Sequence, residues 1–230
     1  GTGAASWAVL SHFPHVQHIH MVEHNKELSF LAQNLMQAGF PHIKPAITLE
    51  SLATYTPDQS YDLVTLSYVM NELSPSKHMP LIQKMWAHCN QTFVVVEPGN
   101  PKGFQIIHSI REWARTQNIS ILAPCSHDGI CPLYGKDWCH FTARFPRSTR
   151  LRQLKKGALG YEDEPFSYLI LSKSHQTPVG ARILYPPQKT PQGINLTLCQ
   201  PQSPKIELIT KKSHLYKKSK NKDWGDCWEG

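Results

Sequence analysis

Between residues 18 and 123, short apolar runs of strand length alternate with segments in which apolar residues recur at helical spacing. The runs at 18–22, 45–48, 61–67, 93–96 and 119–123 suit strands, and the segments at 26–38, 78–89 and 103–117 suit helices. Strands that are separated by helices are joined by crossovers, which place the strands in parallel and cover both faces of the sheet. The sequence therefore predicts an α/β fold with a mostly parallel, doubly wound sheet.

The character of the chain changes after Pro124. Cysteine, histidine, proline and arginine are concentrated in residues 124–150, a strand-like run follows at 166–171, and residues 211–222 are rich in lysine and expected to be flexible. A chain of 230 residues can bury one good core and a smaller second one, since domains usually run to ~100–200 residues. We expect three parts: a main α/β domain at 1–123, a Cys-rich loop with a basic segment and a last sheet strand at 124–172, and a small C-terminal β appendage with a basic tail at 173–230.

The charge of the chain is basic and unevenly distributed. There are 24 Lys and Arg residues against 17 Asp and Glu, a net charge of +7, and residues 141–161 hold six basic side chains and no acidic one. This pattern favours a polyanionic partner, of which RNA is the leading candidate, but on charge alone a solvated face that binds nothing is an equal alternative. The residues assigned to RNA contact are Arg144, Arg147, Arg150, Arg152, Lys155 and Lys156.

A nucleoside site is predicted from the start of the chain. Gly1 and Gly3 form a glycine-rich turn before a helical segment, and Glu23 ends a strand about twenty residues later, the spacing at which an acidic residue binds a ribose diol. Ser67 and Tyr68 end another strand of the same predicted sheet. We assign all five residues to cofactor binding. The strand that should precede the turn is missing, so we expect the chain to be a piece of a longer protein.

No residue stands out as a catalytic base, and the catalytic residues are left unassigned. Asn71 and Glu72 follow the strand that ends at Ser67. They either line the cofactor site or cap the following helix, since both residue types are common at helix N-termini.

Three cysteines, Cys125, Cys131 and Cys139, are separated by five and seven residues. This spacing is too wide for the knuckles of zinc ribbons, in which two residues separate the cysteines, but it suits a loop around an iron–sulfur cluster held by four thiolates. We predict Cys199 as the fourth ligand because it lies on a strand-like segment of the appendage. Cys89 lies at the end of the apolar helix predicted at 78–89 and is expected in the core.

Other interpretations of the cysteines stay open. His127 or His140 could complete a zinc site, the cysteines could be structural without a metal, and Cys227 is another possible fourth ligand. The residues Ala-Pro-Cys-Ser around Cys125 also resemble the nucleophile loop of RNA cytosine-C5 methyltransferases. That loop follows the fourth strand of its fold, however, whereas Cys125 comes two strands later.

Several unusual blocks together resemble one family. They are Gly-Thr-Gly-Ala-Ala-Ser-Trp-Ala at 1–8, Glu-Pro-Gly at 97–99, Ala-Pro-Cys-x-His-Asp-Gly-x-Cys-Pro at 123–132, Asp-Trp-Cys-His-Phe at 137–141 and Tyr-Glu-Asp-Glu-x-Phe-Ser-Tyr at 161–168. From the first residue to residue 226, the chain resembles the mitochondrial small-ribosomal-subunit methyltransferase-like family and its bacterial relatives. The resemblance implies a class I methyltransferase (Rossmann-like) fold with S-adenosylmethionine as its cofactor. It also implies a [4Fe–4S] cluster in a Cys-rich metal-binding insertion, with Cys125, Cys131, Cys139 and Cys199 as its ligands.

The resemblance further implies action on the small ribosomal subunit and its rRNA during assembly. Whether the chain also transfers methyl groups is not decided by its residues. The alternatives are an active S-adenosylmethionine-dependent rRNA methyltransferase and a small-molecule methyltransferase with a structural zinc site. We expect a monomer without a membrane-spanning segment, since no apolar stretch reaches ~18 residues. The expected location is the bacterial cytoplasm, or the mitochondrial matrix in a eukaryote.

Overall fold

The computed structural model describes residues 1–176 and 180–230. Its helices and strands, in chain order, are α1 (Ala4–His12), β1 (His20–Glu23), α2 (Lys26–Gly39), β2 (Ala46–Leu49), β3 (Tyr61–Ser67), α3 (Pro75–Ala87), β4 (Cys89–Pro98), α4 (Pro101–Thr116), β5 (Ser120–Ala123), β6 (Phe141–Pro146), α5 (Thr149–Leu154), β7 (Tyr161–Ser172), β8 (Ala181–Arg182), β9 (Gln188–Lys189), β10 (Gly193–Leu198), β11 (Lys205–Thr210), α6 (Tyr216–Ser219) and β12 (Cys227–Trp228). A short 3₁₀ turn, Met70–Glu72, lies between β3 and α3. The alternation predicted for residues 18–123 is confirmed.

The chain divides into two compact units. The first contains Gly1–Ser60 and Pro75–His88, and the second contains Tyr61–Ser74 and Cys89–Gly230. The boundaries expected at residues 123 and 172 stay predictions. Among the described residues, no helix is both long enough and apolar enough to span a membrane.

The first unit is built around the parallel pair β1 and β2, which α2 connects. The helix begins at Asn25, whose side chain accepts hydrogen bonds from the N–H groups of Glu27 (2.9 Å) and Leu28 (3.0 Å). Such an N-cap satisfies donors that have no partner inside the helix. The side chains that pack together in the core of this unit include Leu10, Met36, Ile43, Trp7, Met21 and Phe40.

The second unit contains a mixed sheet with the strand order β3-β4-β7-β5. β3 and β4 are parallel, as predicted, and Ser67 lies opposite Val96. β7 is antiparallel to β4, β5 and β6, so the prediction of a mostly parallel sheet is wrong for this strand. The reason is the connection: the chain enters β7 from its neighbour β6 through residues 147–160 and not by a crossover that returns it in the same direction.

β7 is longer than the run predicted at 166–171, and its two halves differ. The second half lies inside the sheet, where Leu169 and Leu171 are fully buried. In the first half, residues 161–165 are in register with β6 alone, from Pro146 opposite Tyr161 to Thr142 opposite Pro165, and Phe166 lies opposite both Phe141 of β6 and Pro98 of β4. We call this hairpin, with α5 between its strands, the basic arm (residues 141–166).

The C-terminal part of the second unit has a core of its own. β9, β10 and β11 form an antiparallel sheet, and β12 pairs with β8. Leu215 and Tyr216 pack against its buried side chains, and Ser219, which is 1% exposed, donates a hydrogen bond to the carbonyl of Tyr216 (2.9 Å). The expectation that residues 211–222 are flexible is therefore wrong, because buried contacts hold this segment in a turn and a short helix.

Candidate metal centre and cofactor site

The structure brings four cysteines to one cavity of the second unit. Cys125 follows β5, Cys131 and Cys139 lie in the loop before β6, and Cys199 directly follows β10. We call this space, lined by the four cysteines together with Arg111, His127, Arg182 and apolar side chains, the cysteine cavity. Leu133 and Leu184 pack beside Cys199. The three cysteines selected by their spacing and Cys199, selected for its place on a strand-like segment, thus line the same cavity, although Cys199 is sixty residues beyond Cys139.

Arg111 anchors the loop that carries the first two cysteines. Its side chain projects from α4 and is only 3% exposed. The Nε–H donates to the sulfur of Cys125 (3.1 Å), and a terminal N–H₂ group donates to the carbonyls of Gly129 (2.7 Å) and His127 (3.2 Å). A second arginine, Arg182, donates to the carbonyl of Pro124 (2.9 Å). Two guanidinium groups therefore bring positive charge to a cavity of thiols.

Burial dominates the electrostatics of these thiols. Burial raises the pKa of Cys125, against the lowering effect of the charge and hydrogen bond of Arg111. The pKa of Cys139 lies well above its usual value because of burial and the three neighbouring cysteines. Burial and the other thiols likewise raise the pKa of Cys199 to about 12. Ionising several of these thiols requires positive charge beyond that of the two arginines.

The donor chemistry of the cavity fits a sulfur-ligated metal group. Thiolates are the ligands of zinc and of iron–sulfur clusters, whereas magnesium and calcium take oxygen ligands. The Nε2 atom of His127 lies 3.5 Å from the sulfur of Cys199. Its Nδ1 atom is buried and, among the described residues, has no hydrogen-bond partner.

Over residues 1–176 and 180–230, no three His, Cys, Asp or Glu side chains lie close enough together to hold one metal ion. The four sulfurs thus surround a shared cavity without converging on a single point. The metal assignment of Cys125, Cys131, Cys139 and Cys199 stays a prediction.

In the first unit, the glycine turn and the acidic residue predicted to bind a nucleoside are neighbours. Gly3 has φ +82° at the N-terminus of α1, and a Cβ atom there would lie 3.1 Å from the sulfur of Met21, so the position favours glycine. Glu23 is the last residue of β1, as predicted. Its carboxylate accepts a hydrogen bond from the N–H of Asn25 (2.8 Å) and contacts the amino group of Gly1.

In the second unit, Ser67 and Tyr68 lie where the sequence predicted, at the end of β3. Tyr68 has φ +57°, in the left-handed region that few non-glycine residues adopt, and its N–H donates to the carbonyl of Val96 (2.8 Å). This bond continues the pairing of β3 with β4 by one residue. The structure describes each unit by itself, and the cofactor roles of Gly1, Gly3, Glu23, Ser67 and Tyr68 stay predictions.

Glu97, on β4, orders the turn that follows Tyr68. Its side chain is fully buried, and its two oxygens accept hydrogen bonds from the N–H groups of Val69 (3.1 Å), Met70 (2.8 Å) and Asn71 (3.2 Å). Burial raises the pKa of Glu97 despite these hydrogen bonds. Asn71 is thereby tied into the 3₁₀ turn with Glu72, ahead of the residues that start α3.

The basic arm is less positive than its sequence indicated. Arg144 forms two hydrogen bonds with the carboxylate of Asp163 (2.6 and 2.7 Å), and Arg147 (3.2 Å) and Lys155 (2.8 Å) both reach Glu162. These carboxylates lie on β7, just beyond the acid-free window that ends at residue 161. The remaining residues assigned to RNA contact are Arg150, Arg152 and Lys156.

Two residues of the cysteine cavity, Arg111 and Arg182, were not identified from the sequence. The sequence also did not indicate that Glu97 orders the turn after β3. For Arg111 a signal existed, because it occupies the buried face of α4 together with Ile107, Ile110 and Ala114. An arginine on the apolar face of a helix needs a buried partner. For the other two residues, no local pattern indicates the partner.

The model of the mitochondrial small ribosomal subunit Rsm22 family matches residues 1–229. The chain belongs to this family. Among family relatives are the Rsm22-cox11 tandem proteins 1 and 2, mitochondrial, of Schizosaccharomyces pombe, each 23% identical over 281 residues, an alignment that covers 99% of this chain. The chain spans 37% of the length of these relatives.

The fold of this family member is shared with methyltransferase structures. A proposed methyltransferase from Thermoplasma acidophilum superimposes with a TM-score of 0.50, over 77% of this chain and 66% of the other, at 12% identity. Likeness at this identity shows the fold alone. The α/β class I methyltransferase-like fold expected from the sequence is confirmed.

Proposed function

We propose that this chain acts on the small ribosomal subunit as a methyltransferase-like, rRNA-binding protein that carries a [4Fe–4S] cluster in the cysteine cavity. The ligands would be Cys125, Cys131, Cys139 and Cys199. When bound, the cluster would supply the positive charge that lets buried thiols ionise. The observation that carries the proposal is the meeting of four cysteines and two arginines at one cavity in a member of a small-ribosomal-subunit family.

The role of such a cluster in this chain follows from where the cysteines lie. Cys125, Cys131 and Cys139 belong to the loop between β5 and β6, and Cys199 belongs to the C-terminal β appendage. Joining them ties the loop to the appendage and fixes the base of the basic arm, which begins two residues after Cys139. We infer that the cluster is a structural staple, since metal binding to such a loop contributes directly to folding.

The RNA contact of the basic arm is supported by its exposed cations. Arg150 and Lys156 are exposed, and the same arm exposes the apolar side chains of Phe145, Leu154 and Leu159. Arginine and lysine bind phosphates, and an aromatic side chain such as Phe145 can stack on an unpaired base. A partner made of RNA would use both features.

The cofactor part of the proposal is S-adenosylmethionine. Gly3 allows close approach of the backbone, and the carboxylate of Glu23 is the expected partner of the ribose hydroxyls. Ser67 and Tyr68 are included on the sequence prediction alone. For a eukaryotic source we propose the mitochondrial matrix as the location, because the relatives in Schizosaccharomyces pombe are named as mitochondrial.

The deciding experiment is anaerobic purification with iron, sulfide and zinc counted per chain. The wild type is compared with Cys199→Ser and with Cys89→Ala, a buried cysteine outside the cavity. We expect about four irons and four sulfides in the wild type and in Cys89→Ala, and loss of both elements in Cys199→Ser.

Zinc in place of iron, or no metal in any preparation, would reject the cluster. Full iron and sulfide in Cys199→Ser would reject Cys199 as a ligand. The Cys89→Ala control shows whether removing any buried thiol is enough to lose metal by loosening the fold.

A further inference from the structure

A second basic surface lies outside the basic arm. Five exposed lysines occur within ten residues of the turn and helix that follow β11, with no acidic residue between them. We call this set the lysine surface: Lys211, Lys212, Lys217, Lys218 and Lys220. His214, also exposed, lies in the same stretch.

The backbone of the lysine surface is held in place by buried anchors. The N–H of Lys211 donates to the carbonyl of Gln192 (3.0 Å), which continues the sheet, and Leu215 and Tyr216 pack into the C-terminal core. Ser219, between two of the lysines, is buried. The lysines therefore project from an ordered base, and a ligand that binds them does not first have to order the backbone.

The charges of this surface are not neutralised within the chain. In the part of the chain that the structure describes, no carboxylate forms an ion pair with any of its five lysines. Lys218 donates to the backbone carbonyl of Glu229 (2.6 Å), which leaves its charge uncompensated. Two acids of the C-terminal part are engaged elsewhere: Glu207 pairs with Lys205 (3.6 Å), and Asp226 accepts from the N–H of Asp223 (2.9 Å).

The basic arm differs in this respect, because half of its six cations have carboxylate partners on β7. A phosphate that binds Arg144 must compete with Asp163, whereas a phosphate that binds Lys211 displaces only water and counterions. Release of counterions is the main source of sequence-independent affinity for nucleic acids.

From these observations we propose that the lysine surface binds the phosphate backbone of RNA and supplies most of the salt-dependent affinity of this chain. The inference rests on the proposed function for the kind of partner and assigns that partner to a different surface. Lysine acts as a point charge without base readout, so binding here is independent of RNA sequence.

The test measures the affinity of the full chain for a fluorescein-labelled RNA stem–loop of arbitrary sequence, between about 50 and 200 mM salt. One variant carries Lys211→Gln, Lys212→Gln, Lys217→Gln and Lys220→Gln. A matched control removes the same charge at exposed lysines elsewhere: Lys26→Gln, Lys77→Gln, Lys102→Gln and Lys136→Gln. A third variant, Arg150→Gln with Lys156→Gln, removes exposed charge from the basic arm.

We expect the lysine-surface variant to bind at least tenfold more weakly at low salt, and the slope of log Kd against log salt to fall by about 3, at roughly 0.7–0.9 per phosphate contact. The matched control should keep most of its affinity at low salt and most of the salt slope. Equal losses of affinity in the lysine-surface variant and its control would overturn the inference. A loss of affinity confined to the arm variant would also overturn it, but the proposed function would stand. If the wild type does not bind RNA, the RNA part of the proposed function fails. Circular dichroism confirms that each variant is folded.

Discussion

Glu97 and the cysteine cavity are two buried, ionisable sites of the same unit, and they differ in what surrounds them. Burial raises the pKa of Glu97 and of three of the four cysteines. The oxygens of Glu97 accept three backbone N–H groups from consecutive residues. The sulfurs of the cavity meet side-chain nitrogens of Arg111 and His127, which reach them from α4 and from the loop.

The difference indicates two kinds of site. Every residue except proline has a backbone N–H group. A buried carboxylate that accepts hydrogen bonds from such groups needs no ligand to satisfy it, and it stabilises the turn that supplies them. The thiols of the cysteine cavity meet two arginines and apolar side chains, and ionising several of them requires a further cation from outside the chain. The comparison supports a structural role for Glu97 and agrees with the proposal that the cysteine cavity holds a ligand.

The largest effect is expected from removing the carboxylate. Glu97→Leu should lower the free energy of unfolding by roughly 1–3 kcal/mol for each N–H group that it leaves buried and unpaired. Urea unfolding measures this loss. Glu72→Leu, an exposed glutamate of the same turn, should change stability by less than about 0.5 kcal/mol. Equal stability of the two variants would contradict the structural role of Glu97.

A smaller effect is expected from the wall of the cysteine cavity. Arg111→Met removes the N–H that bonds Cys125 and the charge that offsets the thiolates, so metal retention against a chelator should weaken about 10–100-fold. Arg115→Met is the control, because Arg115 donates to the carbonyl of Asp128 (2.5 Å) on the same loop and not to a sulfur. If both variants lose metal equally, anchoring of the loop accounts for the effect, and the contact with the sulfur does not.

The smallest effect concerns pH. A carboxyl group whose pKa is raised by folding favours the protonated form in the folded state, so its contribution to stability is full below the unfolded pKa and is lost as pH rises through the folded pKa. The wild type should therefore gain stability relative to Glu97→Gln as pH falls from neutral to about 5, above the unfolded pKa of Glu. Urea unfolding of both proteins over this range measures the difference. Parallel pH curves would show that Glu97 is not the titrating group.

Local patterns in the sequence predicted a large part of this protein. The strand at 61–67 and the position of Glu23 at the end of β1 match the structure, because burial on a strand or helix imposes a short period on the residues themselves. Gly3, which was predicted to lie in a glycine-rich turn, has a positive φ at the start of α1. The cysteine spacing also identified three members of the cavity, Cys125, Cys131 and Cys139, which belong to one loop.

Only the tertiary structure decided the partners. No repeating pattern in the sequence indicates the direction of β7. The same is true of the pairing of Arg144 with Asp163 and of the hydrogen bond from Arg111 to Cys125. The same holds for residues 211–222, which the sequence marks as a lysine run and the fold orders through Leu215 and Tyr216. Local sequence determines which groups are present and how they repeat. Which of them neutralise one another depends on long-range packing, and this leaves the lysine surface charged and the basic arm half compensated.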